Sequence, residues 1–148
     1  MLIRCEIVSQ DRLVFEGDAD MVVVPGTEGE MGILPNHIPL LATLALGTIK
    51  VRNGDAEEVF AVTGGIVEVQ PDIVTILADA AEHVDEIDIE RAEAARQRAI
   101  DFLEKGPSPD ASTYLKMQAA LSRSNLRLEL ANRRRKHGQR ARPPGMGS

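Results

Sequence analysis

The sequence predicts a β-sandwich or barrel followed by an α-helical hairpin, an all-β part joined to an all-α part. Three observations carry this. As far as residue 80, apolar residues come in short β-branched runs cut by turn signals. Near residue 87 the apolar period lengthens from two to alternating three and four, the spacing of one helix face. The charge changes with it: residues 1–86 hold four Lys/Arg against 16 Asp/Glu, residues 87–148 hold 13 against seven, and the net charge is −6. An acidic first part and a basic second part imply two units with different jobs. The 148 residues suffice for one small domain plus an appendage.

Taken in order, Ile3–Ser9 and Leu13–Gly17 flank Gln10-Asp11-Arg12, a hairpin pattern. Met21–Val24 is a β-branched run that Pro25-Gly26 should stop. Leu46–Arg52 and Glu57–Val62 flank Asn53-Gly54-Asp55, where Asn-Gly accepts positive φ at both turn positions. Thr63-Gly64-Gly65 then leads to Ile66–Gln70, and Pro71-Asp72 to Ile73–Ala78. These four strands are expected to form an antiparallel meander within a sandwich closed on its own core.

Beyond residue 87, Ala92, Ala95, Ala99, Phe102 and Leu103 share a helix face. Asp88 is a suitable N-cap, and Gly106-Pro107 ends the segment. Asp110 caps a second helix, expected from Ala111 to about Arg135, with apolar positions at Leu115, Leu126, Leu130 and Ala131. The short connection implies an antiparallel hairpin. Its apolar faces are Ala-rich and thin, weakest near Gln118-Ala119 and Ser122–Ser124, so it should dock weakly. The boundaries read 1–84 for the sandwich, 85–137 for the hairpin and 138–148 for a disordered basic tail.

Composition removes several function classes. With 3% aromatics and no Trp there is no stacking platform for bases. The single Cys5 excludes a disulfide framework and a Cys-rich metal site, and fits a reducing compartment. No apolar run approaches the ~20 residues of a membrane span, and no signal peptide is legible, so any membrane association is expected through a partner. His37, His83 and His137 lack paired nucleophiles, so no catalytic residue is assigned. No metal site is assigned either.

Four signals point to function. In Gly32-Ile33-Leu34-Pro35-Asn36-His37-Ile38-Pro39-Leu40-Leu41, two prolines four apart exclude a helix or a central strand. The segment reads as a shaped loop presenting His37, with Glu30 on its approach. Alternatively it only closes the sandwich, with His37 satisfied by a backbone carbonyl. Asp88 and Arg91 stand three apart at a helix start, as a cap and a local ion pair or as part of a site. Arg123 and Arg127 share a face of the second helix, where their repulsion asks for carboxylates, a phosphate or plain solvation. The cluster Arg133-Arg134-Arg135-Lys136 suits an acidic partner or nonspecific nucleic acid.

Several of these motifs carry a resemblance. Gly26-Thr27-Glu28-Gly29-Glu30, the Pro35–Pro39 loop, Thr63-Gly64-Gly65-Ile66-Val67-Glu68-Val69-Gln70-Pro71 and Val74-Thr75-Ile76-Leu77-Ala78-Asp79 resemble, in that order, the epsilon subunit of bacterial-type F-type ATP synthase. The likeness covers residues 1–136. It implies a sandwich at the foot of the central stalk, against the gamma subunit and the c-subunit ring, with Glu30 and His37 as ring contacts. Ile87-Asp88-Ile89-Glu90-Arg91-Ala92 resembles the family's nucleotide motif. The resemblance therefore implies a regulatory ATP site of Glu82, Ile87, Asp88, Arg91, Ala92, Arg123 and Arg127. There is no P-loop, so binding without hydrolysis is implied.

It further implies that Arg133, Arg134 and Arg135 meet the alpha/beta catalytic head when the hairpin extends, and that the extended hairpin inhibits ATP hydrolysis. The implied setting is the cytoplasmic face of the cell membrane, reached only through the complex, with no nucleic acid partner. The alternative is a β-sandwich adaptor whose basic tail binds an acidic protein or nucleic acid.

Overall fold

The computed structural model describes residues 1–106 and 110–140, with side chains as far as residue 133. The chain divides into two compact units, 1–83 and 84–148.

The first unit has ten strands: β1 (Ile3–Val8), β2 (Leu13–Ala19), β3 (Met21–Gly26), β4 (Gly29–Ile33), β5 (Leu40–Leu44), β6 (Gly47–Asn53), β7 (Ala56–Val62), β8 (Gly65–Val69), β9 (Ile73–Ala78) and β10 (Ala81–His83). They pair in the order β10-β7-β6-β3-β5-β8-β9-β1-β2, with β4 on the far side of β3. β3 joins two layers: Met21–Val23 pair with β6, whereas Gly26 meets Leu44 of β5. The two ends of the ladder, β10 and β2, approach each other, so the sandwich is nearly a closed barrel.

Period-two patterning builds the core. On β1, Ile3, Cys5 and Ile7 are fully buried while Arg4, Glu6 and Val8 face outward. Facing them are Val22, Val24, Ile49, Phe60, Val67, Val74 and Ile76. Each such side chain contributes about 1.5–3 kcal/mol on burial. Phe60 is also flanked by Phe15, with ring centroids 5.4 Å apart, and by the edge of His83 at 5.1 Å.

Four local expectations are corrected. First, the last four long strands do not form a meander. β7 pairs with β6 and β10, and β8 pairs with β5 and β9. Thr63-Gly64-Gly65 carries the chain from one layer to the other. Gly64 and Gly65 have φ of +136° and +134°, and a Cβ on Gly65 would lie 2.2 Å from the Leu77 carbonyl oxygen. Second, the sheet is mixed, because β1 and β9 run parallel.

Third, β3 continues through Pro25. The Pro25 carbonyl accepts from Ala45 N (2.8 Å), so the side lacking an N–H is turned away from β4. Fourth, the β6–β7 loop is Gly54-Asp55, with Asn53 paired to Ala56 and positive φ at Gly54 alone (+61°). That is the glycine-first pattern of a type II′ turn. Strands β4, β5 and β10 were not expected, and they shorten the presumed loop 32–41 to 34–39.

The second unit begins with a 3₁₀ turn, Val84–Glu86, followed by α1 (Ile89–Glu104) and α2 (Ala111–Arg140). Asp88 caps α1 by accepting from Arg91 N (3.1 Å). Gly106 (φ +86°) closes it with Gly106 N donating to Leu103 O (3.2 Å). Asp110 caps α2, accepting from Ser112 N (3.0 Å) and the Thr113 hydroxyl (2.7 Å). Those bonds hold its carboxyl below the usual carboxylate range.

The helices are antiparallel: Arg96 Nε donates to Asn125 Oδ1 (2.9 Å), and Glu93 and Asn132, further along, line the same groove. Small residues line the seam, with Ala92, Ala99, Ser124 and Ala131 buried. The Ser124 hydroxyl bonds back to Ala120 O (2.9 Å), so the weak point of the stripe is a satisfied close contact. Leu115, expected in the seam, is 63% exposed. α2 runs five residues past its expected end, through Gly138. The tail read as disordered from 138 is therefore helical as far as Arg140, and residues 141–148 lie outside the described part.

Candidate functional site

Two regions carry the sequence-derived residues. The first is one end of the sandwich. Glu30 is exposed on β4, opposite Pro25. His37 is half-buried in the loop 34–39, whose turn at Asn36 (φ +64°) is tied by Asn36 N donating to Pro71 O (2.8 Å). His37 Nδ1 lies 2.7 Å from Ile38 O. A carbonyl only accepts, so Nδ1 holds the proton and Nε2 is the nitrogen left for another group. The backbone carbonyl thus satisfies one ring nitrogen of His37, as the loop-closing alternative expected. Leu34 and Ile38 beside it are 55% and 79% exposed. A groove of about 640 Å³ runs beside β4 and β5, lined by Thr27, Glu30, Met31, Leu41 and Ile66 among others.

A surface missed in the sequence lies on the outward face of β5, β8, β9, β1 and β2. Ile66 is opposite Leu77, Leu77 opposite Val8, and Val8 opposite Leu13. Ile66, Leu77 and Leu13 are 42–52% exposed, and Leu41 on the next rung is 68% exposed. Adjacent apolar pairs Ile66-Val67 and Ile76-Leu77 were the legible signal, since a strand apolar on both faces has two surfaces to cover. A contiguous exposed apolar stripe marks an interaction surface.

The second region is the helical unit. Ala92 is fully buried in the seam, Ile87 is half-buried with its N–H donating to Val84 O (3.3 Å), and Asp88 is occupied as the cap of α1. Arg91 and Arg123 are exposed. Measured around each helix from its seam residue, Arg91 lies about 100° to one side of Ala92, Arg123 and Arg127 about 100° and 60° to one side of Ser124, all in the same sense. In antiparallel helices, offsets of the same sense fall on the same flank. Counted from the Arg96–Asn125 bond, Arg91 is offset along the axis by about 4.5 Å from Arg127 and about 10.5 Å from Arg123. The unit thus places three guanidinium groups along one flank, next to the α1 N-terminus.

Among the described residues, no hydrogen bond or ion pair engages the Arg123 side chain, whereas Arg127 is engaged. Glu82 belongs to the first unit, on β10 opposite Ala61, and is also engaged. Arg133 bonds Glu129 (2.6 Å), an exposed pair on one helix face. The side chains of Arg134 and Arg135 lie outside the described part.

A ten-stranded sandwich followed by a two-helix unit, with an exposed apolar stripe on the sandwich, is the architecture to be matched. The comparisons give that architecture a family. Residues 2–84 match the family model described as "ATP synthase, Delta/Epsilon chain, beta-sandwich domain", and residues 85–132 match the "long alpha-helix domain" of the same chain. The chain is 44% identical over 131 residues to the ATP synthase epsilon chain of Halalkalibacterium halodurans, covering 88% of this chain and 98% of that one. It is 43% identical over 137 residues to that of Dehalococcoides mccartyi, covering 93% and 97%.

Among solved structures, a chain of the Euglena gracilis mitochondrial ATP synthase superposes with a TM-score of 0.73 at 27% identity, covering 88% of this chain and 81% of that one. A chain from the Tetrahymena thermophila mitochondrial enzyme shares the fold, with a TM-score of 0.61 at 14% identity over 87% of this chain and 96% of that one. The chain belongs to the epsilon-chain family of F-type ATP synthases. Among the described residues, no helix is long and apolar enough to cross a membrane.

Proposed function

We propose that this chain is a non-catalytic coupling and regulatory subunit of the central stalk. Its sandwich joins the gamma subunit to the c ring, and its helical pair inhibits ATP hydrolysis when extended toward the alpha/beta head. Coupling two bodies needs two surfaces of different chemistry, and that is the observation that carries the reading. The stripe Leu41, Ile66, Leu77 and Leu13 suits an apolar partner surface, assigned to gamma. The loop end, with Glu30 and His37 Nε2, suits charge-assisted hydrogen bonds to polar ring loops. The Euglena gracilis neighbour is a chain of a complex that includes a c ring.

The arginine flank of the helical unit supports ATP as a ligand biasing the hairpin, with Arg91, Arg123 and Arg127 on the phosphates. Arg133–Arg135 serve the extended state. The complex sits on the cytoplasmic face of the cell membrane, and this chain reaches the membrane through it. The adaptor reading of the basic tail gives way to the family match.

The experiment is reconstitution of the stalk with the full chain carrying Ile66→Asp or Glu30→Ala. Ile66→Asp should abolish capture of gamma, while Glu30→Ala should retain gamma and weaken retention of the c ring. Equal gamma capture by Ile66→Asp and the unmodified chain would reject the assignment of the stripe.

A further inference from the structure

We propose that Asn53 is a latent deamidation site, held in check by the carboxylate of Asp20 and the carbonyl of Asp18. Asn53 is followed by Gly54 at the β6–β7 turn, and both are exposed to water. In the reaction, Gly54 N loses its proton and attacks Cγ of Asn53. The N–Cγ bond forms, the Cγ–Nδ2 bond breaks, and ammonia leaves. Water then opens the cyclic imide at either carbonyl, giving aspartate or isoaspartate. No oxidant or enzyme is required.

The usual steric brake is missing here. Position 54 has no side chain, and a Cβ built there would meet nothing within 4 Å. The fold supplies an electrostatic brake instead. Gly54 N donates to Asp20 Oδ2 at 2.6 Å. That charge-assisted bond holds the proton that must leave, and a negative charge forming on the nitrogen would be repelled by the carboxylate beside it. Asn53 Nδ2 donates to Asp18 O (3.2 Å), which ties the leaving amide to the end of β2. Asp20 is itself fixed, its N–H donating to Arg52 O (2.8 Å). Ring closure breaks both restraints on the reacting residues.

Hydrolysis returns the N–H of Gly54, but the Nδ2 donor of position 53 has left as ammonia and is not restored. A carboxylate at position 53 would face the Asp18 carbonyl and stand near Asp18, Asp20 and Asp55, so the side-chain tie from position 53 to the end of β2 is lost for good. Any event that opens this corner therefore becomes a lasting chemical mark on the subunit.

The test is ageing of the full chain at mildly alkaline pH, with deamidation and isoaspartate at position 53 read by peptide mass spectrometry. The unmodified folded chain, the same chain in urea, Asp20→Ala and Asp20→Asn are compared, with far-UV circular dichroism to confirm folding. The folded chain should react at least about tenfold more slowly than the unfolded one, the rate equivalent of one charge-assisted hydrogen bond. Folded Asp20→Ala should recover most of that rate, and Asp20→Asn, which keeps an acceptor without the charge, should fall between. Equal rates for folded and unfolded chain would overturn the proposal. So would a folded Asp20 variant that reacts no faster, or reacts more slowly because Asp20 had been the base.

Discussion

Replacing Arg123 by Ala isolates the ligand reading of the helical unit. The side chain is exposed and has no partner among the described residues, so its removal costs the fold almost nothing. Its effect on binding is a different matter. If Arg123 grips a phosphate oxygen, the charged hydrogen bond contributes about 1.5–3 kcal/mol, and its loss raises the ATP dissociation constant about 10- to 100-fold. Arg91→Ala, on the same flank, should act in the same direction.

Arg133→Ala is the control of equal charge. Its angular position lies about 180° from the seam, on the far face of α2, and its guanidinium is paired with Glu129. It should change affinity little beyond a salt-dependent remnant. Calorimetric titration of the full chain with ATP reads all three. Unchanged affinity in Arg123→Ala, or an equal loss in Arg133→Ala, would refute the clamp and leave only diffuse electrostatics.

Further outcomes follow from the packing. Phe60→Ala removes a ring that is 1% exposed and contacts two other rings, so the sandwich should lose about 3–5 kcal/mol in urea unfolding. Phe60→Leu should lose markedly less. Cys5 is fully buried and burial pushes its thiol up to about 12, against an ordinary 9.0. It should resist a thiol reagent at pH 8 until the sandwich unfolds. Because the unfolded thiol ionises first, this residue's contribution to stability declines as pH rises from about 9.0 toward 12. Asp110 behaves oppositely: its folded carboxyl is held low, so its contribution is present above the ordinary carboxylate range and lost as pH falls through the folded value. Asp110→Ala should flatten the acid limb of helix content followed by circular dichroism.

Local chemistry was legible in the sequence, and long-range pairing was not. Asp88, Asp110 and Gly106 are helix signals whose effect is confined to one turn, and the helices begin and end beside them. The hairpin partners β6 and β7 follow from two apolar runs around a glycine turn. Strand β4 was invisible because Gly29-Glu30-Met31-Gly32 has no β propensity of its own and is organised by pairing with β3. The meander failed at Gly64-Gly65, where positive φ served a crossing between layers and not a turn.

The same division holds for the candidate sites. Arg123 and Arg127 were visible as a pair because they lie on one helix. That Arg91 shares their flank follows only from the antiparallel seam. The stripe through Ile66, Leu77, Val8 and Leu13 depends on a register that includes the parallel β1–β9 pair, which no local pattern announces.

The two units differ most in what holds them together, and the difference bears on the proposed switch. The sandwich buries Ile, Val and Phe side chains on every central strand, so opening it exposes many groups worth about 1.5–3 kcal/mol each. The helical unit buries mostly small side chains, Ala92, Ala99, Ala131 and Ser124, with Leu130 and Val84 the larger ones, and the hydrogen bond from Arg96 to Asn125 is exposed. Alanine offers one methyl to bury, about 0.8 kcal/mol by the usual value per carbon. Separating the helices therefore costs a few such increments and at most one leucine's burial, about 1.5–3 kcal/mol, still far less than unfolding the sandwich.

A ligand acts on an equilibrium only through its preference for one state. If the arginine flank exists only in the closed pair, ATP at about 100 times its dissociation constant adds about 2.7 kcal/mol to closure, comparable to the seam itself. A seam of leucines would make the same ligand irrelevant. Ala99→Leu on α1 tests this, because hydrogen exchange across α1 should then slow if the larger side chain is accommodated, and ATP should no longer change it. Protection that still responds to ATP in a tightened seam would show that the ligand acts elsewhere.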